Sequence, residues 1–199
     1  MRSLAILMFA MSGFSADFSG HYVLEHVMEV GSEMLLRPDG TFEYMLAYGA
    51  ADYGARGSWK VDGDTVVLTS ALTEAPPFKL VKSGKFNFLR VTVKAPNGRP
   101  IPNIDVIADS DTKARTDQDG VAVFGGLRSA KSVEFEIRVY SFNSGPLAVT
   151  DGMNDLTFEI NGQAISQVPF KGERLKIAGN CLEMRYWNPD RVMRYCKVK

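Results

Sequence analysis

Gly57-Ser58-Trp59-Lys60-Val61-Asp62-Gly63-Asp64-Thr65-Val66-Val67-Leu68-Thr69 reads as a β-hairpin. Two short runs rich in β-branched and aromatic residues flank Asp62-Gly63-Asp64, which supplies the turn chemistry. A two-residue loop at Gly63-Asp64 sets Val61 opposite Val66 and Trp59 opposite Leu68, with every apolar residue on one face and Ser58 and Lys60 in water. A slip of one residue would turn each side chain to the other face, so agreement between register and pattern is a strong constraint.

The same period-2 cadence continues upstream. Phe42, Tyr44, Leu46 and Tyr48 share one face of Thr41–Tyr48, and Pro38-Asp39-Gly40 turns the chain into that strand from Met34-Leu35-Leu36. Tyr22, Leu24, His26 and Met28 make a further alternating set, while Gly49-Ala50-Ala51-Asp52-Tyr53-Gly54 reads as a glycine-rich connection. Downstream, Glu74-Ala75-Pro76-Pro77 interrupts the pattern, since adjacent prolines cannot continue a central strand. Strands then recur at Phe86–Val93, Ile104–Ala108, Val121–Phe124, Val133–Tyr140 and Leu156–Ile160, with a turn at Asn161-Gly162 and a last group from Phe170 to Lys197. No run of ten or more residues carries a clean helical stripe between caps. The fold class is therefore all-β: an antiparallel barrel-like or sheet domain plus a β-sandwich.

Three segments carry a resemblance: Val91-x-Val93, then Gly98-x-Pro100-Ile101-x-Asn103-x-x-Val106, then Thr116-Asp117-x-Asp119-Gly120-x-Ala122-x-Phe124. Through them residues 86–160 resemble the transthyretin-like, carboxypeptidase regulatory-like sandwich modules, a likeness that implies a fold and almost no chemistry. The hairpin Gly57-x-Trp59…Gly63-Asp64-x-Val66-x-Leu68 looks weakly like the lipocalin-like barrels of small exported bacterial proteins, and Leu175-x-Ile177…Leu182-x-Met184…Tyr195 has the cadence of a closing strand pair. The corresponding organisation is a discontinuous barrel, residues 17–82 with 163–199, around a sandwich at 86–160. Two domains in series is the alternative.

Residues 1–16 read as a secretory signal. Arg2 gives the positive end, Leu4–Met11 the apolar run and Ser12-Gly13-Phe14-Ser15-Ala16 the small-residue exit. The run is far short of the roughly 20 residues that span a bilayer, so no transmembrane segment is expected, and the mature protein belongs in the periplasm or outside the cell. Formal net charge is zero with no block of like charge, which weighs against a nucleic-acid partner.

Candidate chemistry is sparse. His21 and His26, the only histidines, fall on opposite strand faces and cannot chelate one metal. No Gly-x-Ser-x-Gly elbow occurs. Asp109, Asp111, Asp117 and Asp119 crowd two loops, but the distal Glu of a calcium loop is missing and turn chemistry accounts for them. No metal or cofactor is expected. The candidate ligand-binding residues are Tyr44, Tyr48, Asp52 and Tyr53, an aromatic face beside a loop that could cap a barrel mouth; core packing is the default reading of the aromatics.

Cys181 and Cys196 close the list. The runs Cys181–Tyr186 and Arg191–Cys196 read as a hairpin around Trp187-Asn188-Pro189-Asp190. Pairing Tyr186 with Arg191 sets Met184 against Met193, Leu182 against Tyr195, Glu183 against Arg194 and Cys181 against Cys196. That register predicts a structural disulfide on the outer face, suited to an oxidising compartment. The poverty of general bases favours a non-catalytic envelope protein that binds a partner protein or small ligand. The alternative is a carboxylate-dependent hydrolase acting on an envelope glycan or peptide.

Overall fold

Tight turns and alternating burial build the first five strands in chain order: β1 (Gly20–Leu24), β2 (Val30–Leu36), β3 (Thr41–Tyr48), β4 (Ala51–Asp62) and β5 (Thr65–Ser70). The computed structural model describes residues 17–198, and the expected export segment lies outside them. Nine strands follow: β6 (Phe78–Gly84), β7 (Arg90–Lys94), β8 (Asp105–Ala108), β9 (Thr112–Arg115), β10 (Val121–Val123), β11 (Ser132–Ile137), β12 (Phe142–Asn143), β13 (Leu147–Ala148) and β14 (Asp155–Ile160). A one-turn helix, α1 (Gly162–Ser166), leads to β15 (Lys171–Ala178), β16 (Cys181–Met184) and β17 (Met193–Lys197).

The fold is all-β. Eight strands form a closed antiparallel barrel in the order β1-β17-β16-β15-β5-β4-β3-β2, so both ends of the described chain contribute to it. Two seams join the early and late strands: β17 pairs with β1 (Val23 opposite Cys196) and β15 with β5 (Leu175 opposite Val66). Val61 faces Val66 and Trp59 faces Leu68, as the hairpin pattern requires. The interior of an eight-stranded barrel is just wide enough for side chains to fill. Met34, Phe42, Val66, Leu68, Phe170, Leu175, Leu182 and Tyr195 fill it. The outer wall carries His21, Glu33, Glu43, Arg56, Lys60 and Arg174, the reverse of a membrane-spanning barrel with its apolar band outside. Among the described residues no helix is long and apolar enough to cross a membrane.

The second unit stacks two sheets, β10-β7-β14-β6 and one built on β12-β11-β8-β9 with β13 beside β11. Phe78, Val91, Val106, Phe135, Leu156 and Phe158 lie in its core, and the Phe78 and Phe135 rings stack with centroids 4.0 Å apart.

Several details differ from the sequence reading. The barrel boundary at residue 82 is too late: β6 pairs with β14 along its whole length and buries Phe78 in the sandwich. Residues 163–170 precede the return strand, with α1 capped by the Asn161 side chain. The alternation at His26 and Met28 is not a strand, because His26 and Glu29 adopt positive φ and Met28 stands in solvent. Val67 does not share the face of Val66 and Leu68. It sits on the outer wall yet is buried, flanked across the sheet by Lys60 and Arg174, long side chains whose aliphatic stems shield apolar surface.

Candidate functional site

The β3–β4 turn needs only Gly49 and Ala50, with Gly49 at φ +59° and Tyr48 already paired with Ala51. Residues 51–54 are therefore strand, not loop. Alternation from Ala51 turns Tyr53 inward, opposite Leu46, and turns Asp52 outward, opposite Ala47. Asp52 is exposed and does not line the barrel mouth, which removes it from the expected site. Tyr44 lies deeper, 3% exposed in the core, and does not line the mouth either.

Three segments converge on that mouth: the loop 25–29, the β3–β4 turn and the connection 185–192 between β16 and β17. The last is a compact turn. Its Asp190 amide donates to Asn188 Oδ1 at 2.9 Å, its Arg191 amide to the Asn188 carbonyl at 3.1 Å, and Arg185 Nη1 to the Pro189 carbonyl at 2.8 Å. These bonds present Trp187 over the opening, its ring 5.2 Å from Tyr53 and 5.3 Å from Tyr186. Tyr53 also meets Tyr140 of the sandwich edge-on at 5.5 Å.

Beneath Trp187 runs a chain of buried polar groups. The indole Nε1 donates to the Tyr44 hydroxyl at 2.9 Å, which lies 3.2 Å from the Tyr195 hydroxyl, itself 2.9 Å from Ser32 Oγ. Ser32 ends the chain by donating to the Met45 carbonyl at 2.6 Å. One consistent direction satisfies every member: Tyr44 donates to Tyr195 and Tyr195 to Ser32. Burial pushes both phenols above the ordinary tyrosine range, so both are neutral donors at physiological pH.

Above this floor opens a pocket of about 330 Å³. Its apolar wall is Val27, Val30, Leu46 and Met193, with Tyr48, Tyr53 and Trp187 supplying aromatic surface. Asn188 and Arg191 complete the lining. Tyr48 is 59% exposed and Trp187 37%, high values for large aromatic rings. Of the expected ligand residues, then, Tyr48 and Tyr53 meet at the mouth, while Tyr44 supports it from below. Trp187 and Arg191 were missed; the available signal was a tryptophan inside a turn, where no core position explains it. Glu173 was missed as well. It faces Leu68 on the inward side of β15, and burial raises its pKa. Its alternation with Leu175 and Ile177 made that orientation readable.

A larger groove, about 810 Å³, lies outside the barrel against the connectors to the sandwich. It contains Glu33, 2.7 Å from His21, and Glu43, 3.1 Å from Arg37 and 3.6 Å from Arg56. The aspartate loops hold backbone in place. Asp109 Oδ1 accepts from the amides of Lys131 and Ser132, and Asp117 Oδ1 from those of Asp119 and Val121. Cys181 and Cys196 are disulfide-bonded in the anticipated register, with Leu182 opposite Tyr195 and Met184 opposite Met193. Both cysteines are nevertheless buried, although they lie on the outer face. Comparison with protein-family models, with curated proteins and with solved structures finds no match.

Proposed function

We propose that this protein is a non-catalytic binding module of the cell envelope that holds a small, largely apolar ligand at the aromatic mouth of its barrel. The observation that carries this reading is the mouth itself: exposed Tyr48 and Trp187 with Tyr53 around a pocket, on a barrel whose interior is otherwise filled. Concave, mainly apolar sites with a few directed polar groups are the usual form of small-ligand pockets, and 330 Å³ is at the lower end of their size range. The disulfide supports an oxidising compartment. A hydrolase reading would use the outer groove, where Glu33 and Glu43 are diagonal neighbours across β2 and β3. Both carboxylates are already engaged by basic side chains, Glu33 by His21 and Glu43 by Arg37 and Arg56, and both stand partly in water.

The test is equilibrium titration of the mature protein with N-phenyl-1-naphthylamine, a neutral apolar fluorophore. Saturable enhancement that weakens in Tyr53→Ala and in Trp187→Ala, both checked for folding by circular dichroism, supports the mouth. Absence of saturable binding, or binding unchanged in both variants, overturns it.

A further inference from the structure

The polar groups of the mouth are unevenly chosen. Arg191 is the one charged side chain in the lining. Its backbone amide is used by Asn188, but among the described residues its guanidinium meets no carboxylate and no carbonyl. Among the described residues Arg37, Arg56, Arg90, Arg115, Arg138 and Arg174 each meet an acid; Arg99, Arg128 and Arg194 do not, but none of these lines the mouth. Asn188 has spent its side-chain oxygen on the Asp190 amide, which leaves its NH₂ as the half free to meet a ligand. The Trp187 indole N–H is committed to Tyr44. Acids do occur nearby, at Glu25, Glu29 and Asp190 on these loops and at Asp52 on β4, but none of them lines the pocket. An apolar, aromatic wall thus faces an unpaired guanidinium and an amide donor across one small cavity. A neutral hydrocarbon would leave both donors to water, whereas a carboxylate or sulfonate oxygen would accept from both in a charge-assisted contact.

Resting on the mouth as the ligand site, we infer that its ligand is an aromatic or compact apolar molecule bearing one anionic group, with Arg191 as counter-ion. The ring lies against Tyr48, Tyr53 and Trp187, and the anion points outward to the 188–191 turn. Arg191 stands at the rim in partial contact with water, so its contribution is discrimination more than raw affinity.

The experiment compares 2-naphthoate with 2-naphthamide, the same ring body with and without charge, by calorimetric titration of the mature protein at low salt. Naphthoate is expected to bind about fivefold more tightly, the upper end for a partly exposed charge pair. Arg191→Gln should bring naphthoate affinity down to that of naphthamide, and Arg191→Lys should keep part of the preference. Raising the salt should erase the preference in the wild-type protein but not the amide binding. Equal binding of the two probes, or a preference that survives in Arg191→Gln, overturns the anionic ligand while the mouth still stands. If neither probe binds, the mouth fails as a site and this inference fails with it.

Discussion

Trp187 and Tyr44, 143 positions apart, are joined by a 2.9 Å hydrogen bond that ties the exposed 185–192 turn to the buried polar chain of the barrel. Tyr44→Phe removes the acceptor for the indole and the partner of the Tyr195 hydroxyl together. The expected cost is about 1–3 kcal/mol in urea unfolding, since the indole N–H loses its acceptor and the Tyr195 oxygen its donor. Tryptophan emission should change with it as the ring is released. An unchanged midpoint with unchanged emission would show that the bond is not made in solution.

The disulfide lies on the strand pair that brings β17 to its place beside β1. Closing a loop of 15-residue separation stabilises by about 3 kcal/mol in the chain-entropy model. Denatured, unreduced protein should show no titratable thiol, and Cys181→Ser with Cys196→Ser should lower stability by that amount. Hydrogen exchange should report the loss first along β1 and β17, the seam that the bridge supports. Two free thiols in the unreduced protein would refute the bridge.

Gly57 and Gly63 occupy one hairpin and should respond very differently to alanine. A Cβ on Gly57 would fall 2.0 Å from the Thr69 carbonyl oxygen and 2.9 Å from the Ala71 amide nitrogen, both backbone atoms that cannot move aside. A Cβ on Gly63 meets nothing within 4 Å, and the cost there is only that of φ +63°. We expect Gly57→Ala to destabilise by about 3 kcal/mol or more and Gly63→Ala by about 1 kcal/mol. Thermal unfolding separates the two, and equal losses would contradict the close approach at Gly57.

Asp105 on β8 is buried under three cations: Arg115 at 2.6 Å, Arg138 at 2.8 Å and Lys113 at 3.4 Å. Its hydrogen bonds to Arg115, opposed by burial and aided by the neighbouring charges, hold its pKa down to about 2, against 3.8 for a free aspartate. A depressed carboxylate stabilises fully above its unfolded pKa and loses that contribution as pH falls through its folded one. The window is therefore about pH 4 to pH 2. Because the cations are well exposed, the contribution is about 1–2 kcal/mol. Asp105→Asn should lower stability at neutral pH and flatten the acid limb in that window; an unaltered acid limb would show that the cluster is not formed.

What could be read from the sequence was local. The Trp59–Leu68 pairing follows from a two-residue turn between alternating runs, and the Cys181–Cys196 register follows from matching charge and apolar faces over a short hairpin. Long-range partners are a different matter. Phe78 follows the double proline immediately, and no local pattern says that its strand pairs with β14 some eighty residues on. Asp52 was misjudged because Gly49 and Gly54 bracket it; only Gly49 serves the turn, whereas Gly54 is strand. The mouth was half visible. Tyr48 and Tyr53 announced an aromatic rim, but Trp187 and Arg191 reach it from the opposite end of the chain, which no spacing rule encodes.

Barrel closure by β17 also sets an order of assembly. As the chain emerges N-terminus first, β1 to β5 can form a curved sheet, but β1 keeps a bare backbone edge and β5 another until the last thirty or so residues arrive. The intervening sandwich, whose strands run from Phe78 to Ile160, holds all its pairings within itself and can be complete before then. On either side of it Ser70 and Phe170 are adjacent, with the Ser70 amide donating to the Phe170 carbonyl at 2.8 Å. An insert folded first would bring the two ends of this long crossover together before β15 meets the edge of β5. Closure would then be a short local zipping step in place of a search between distant segments.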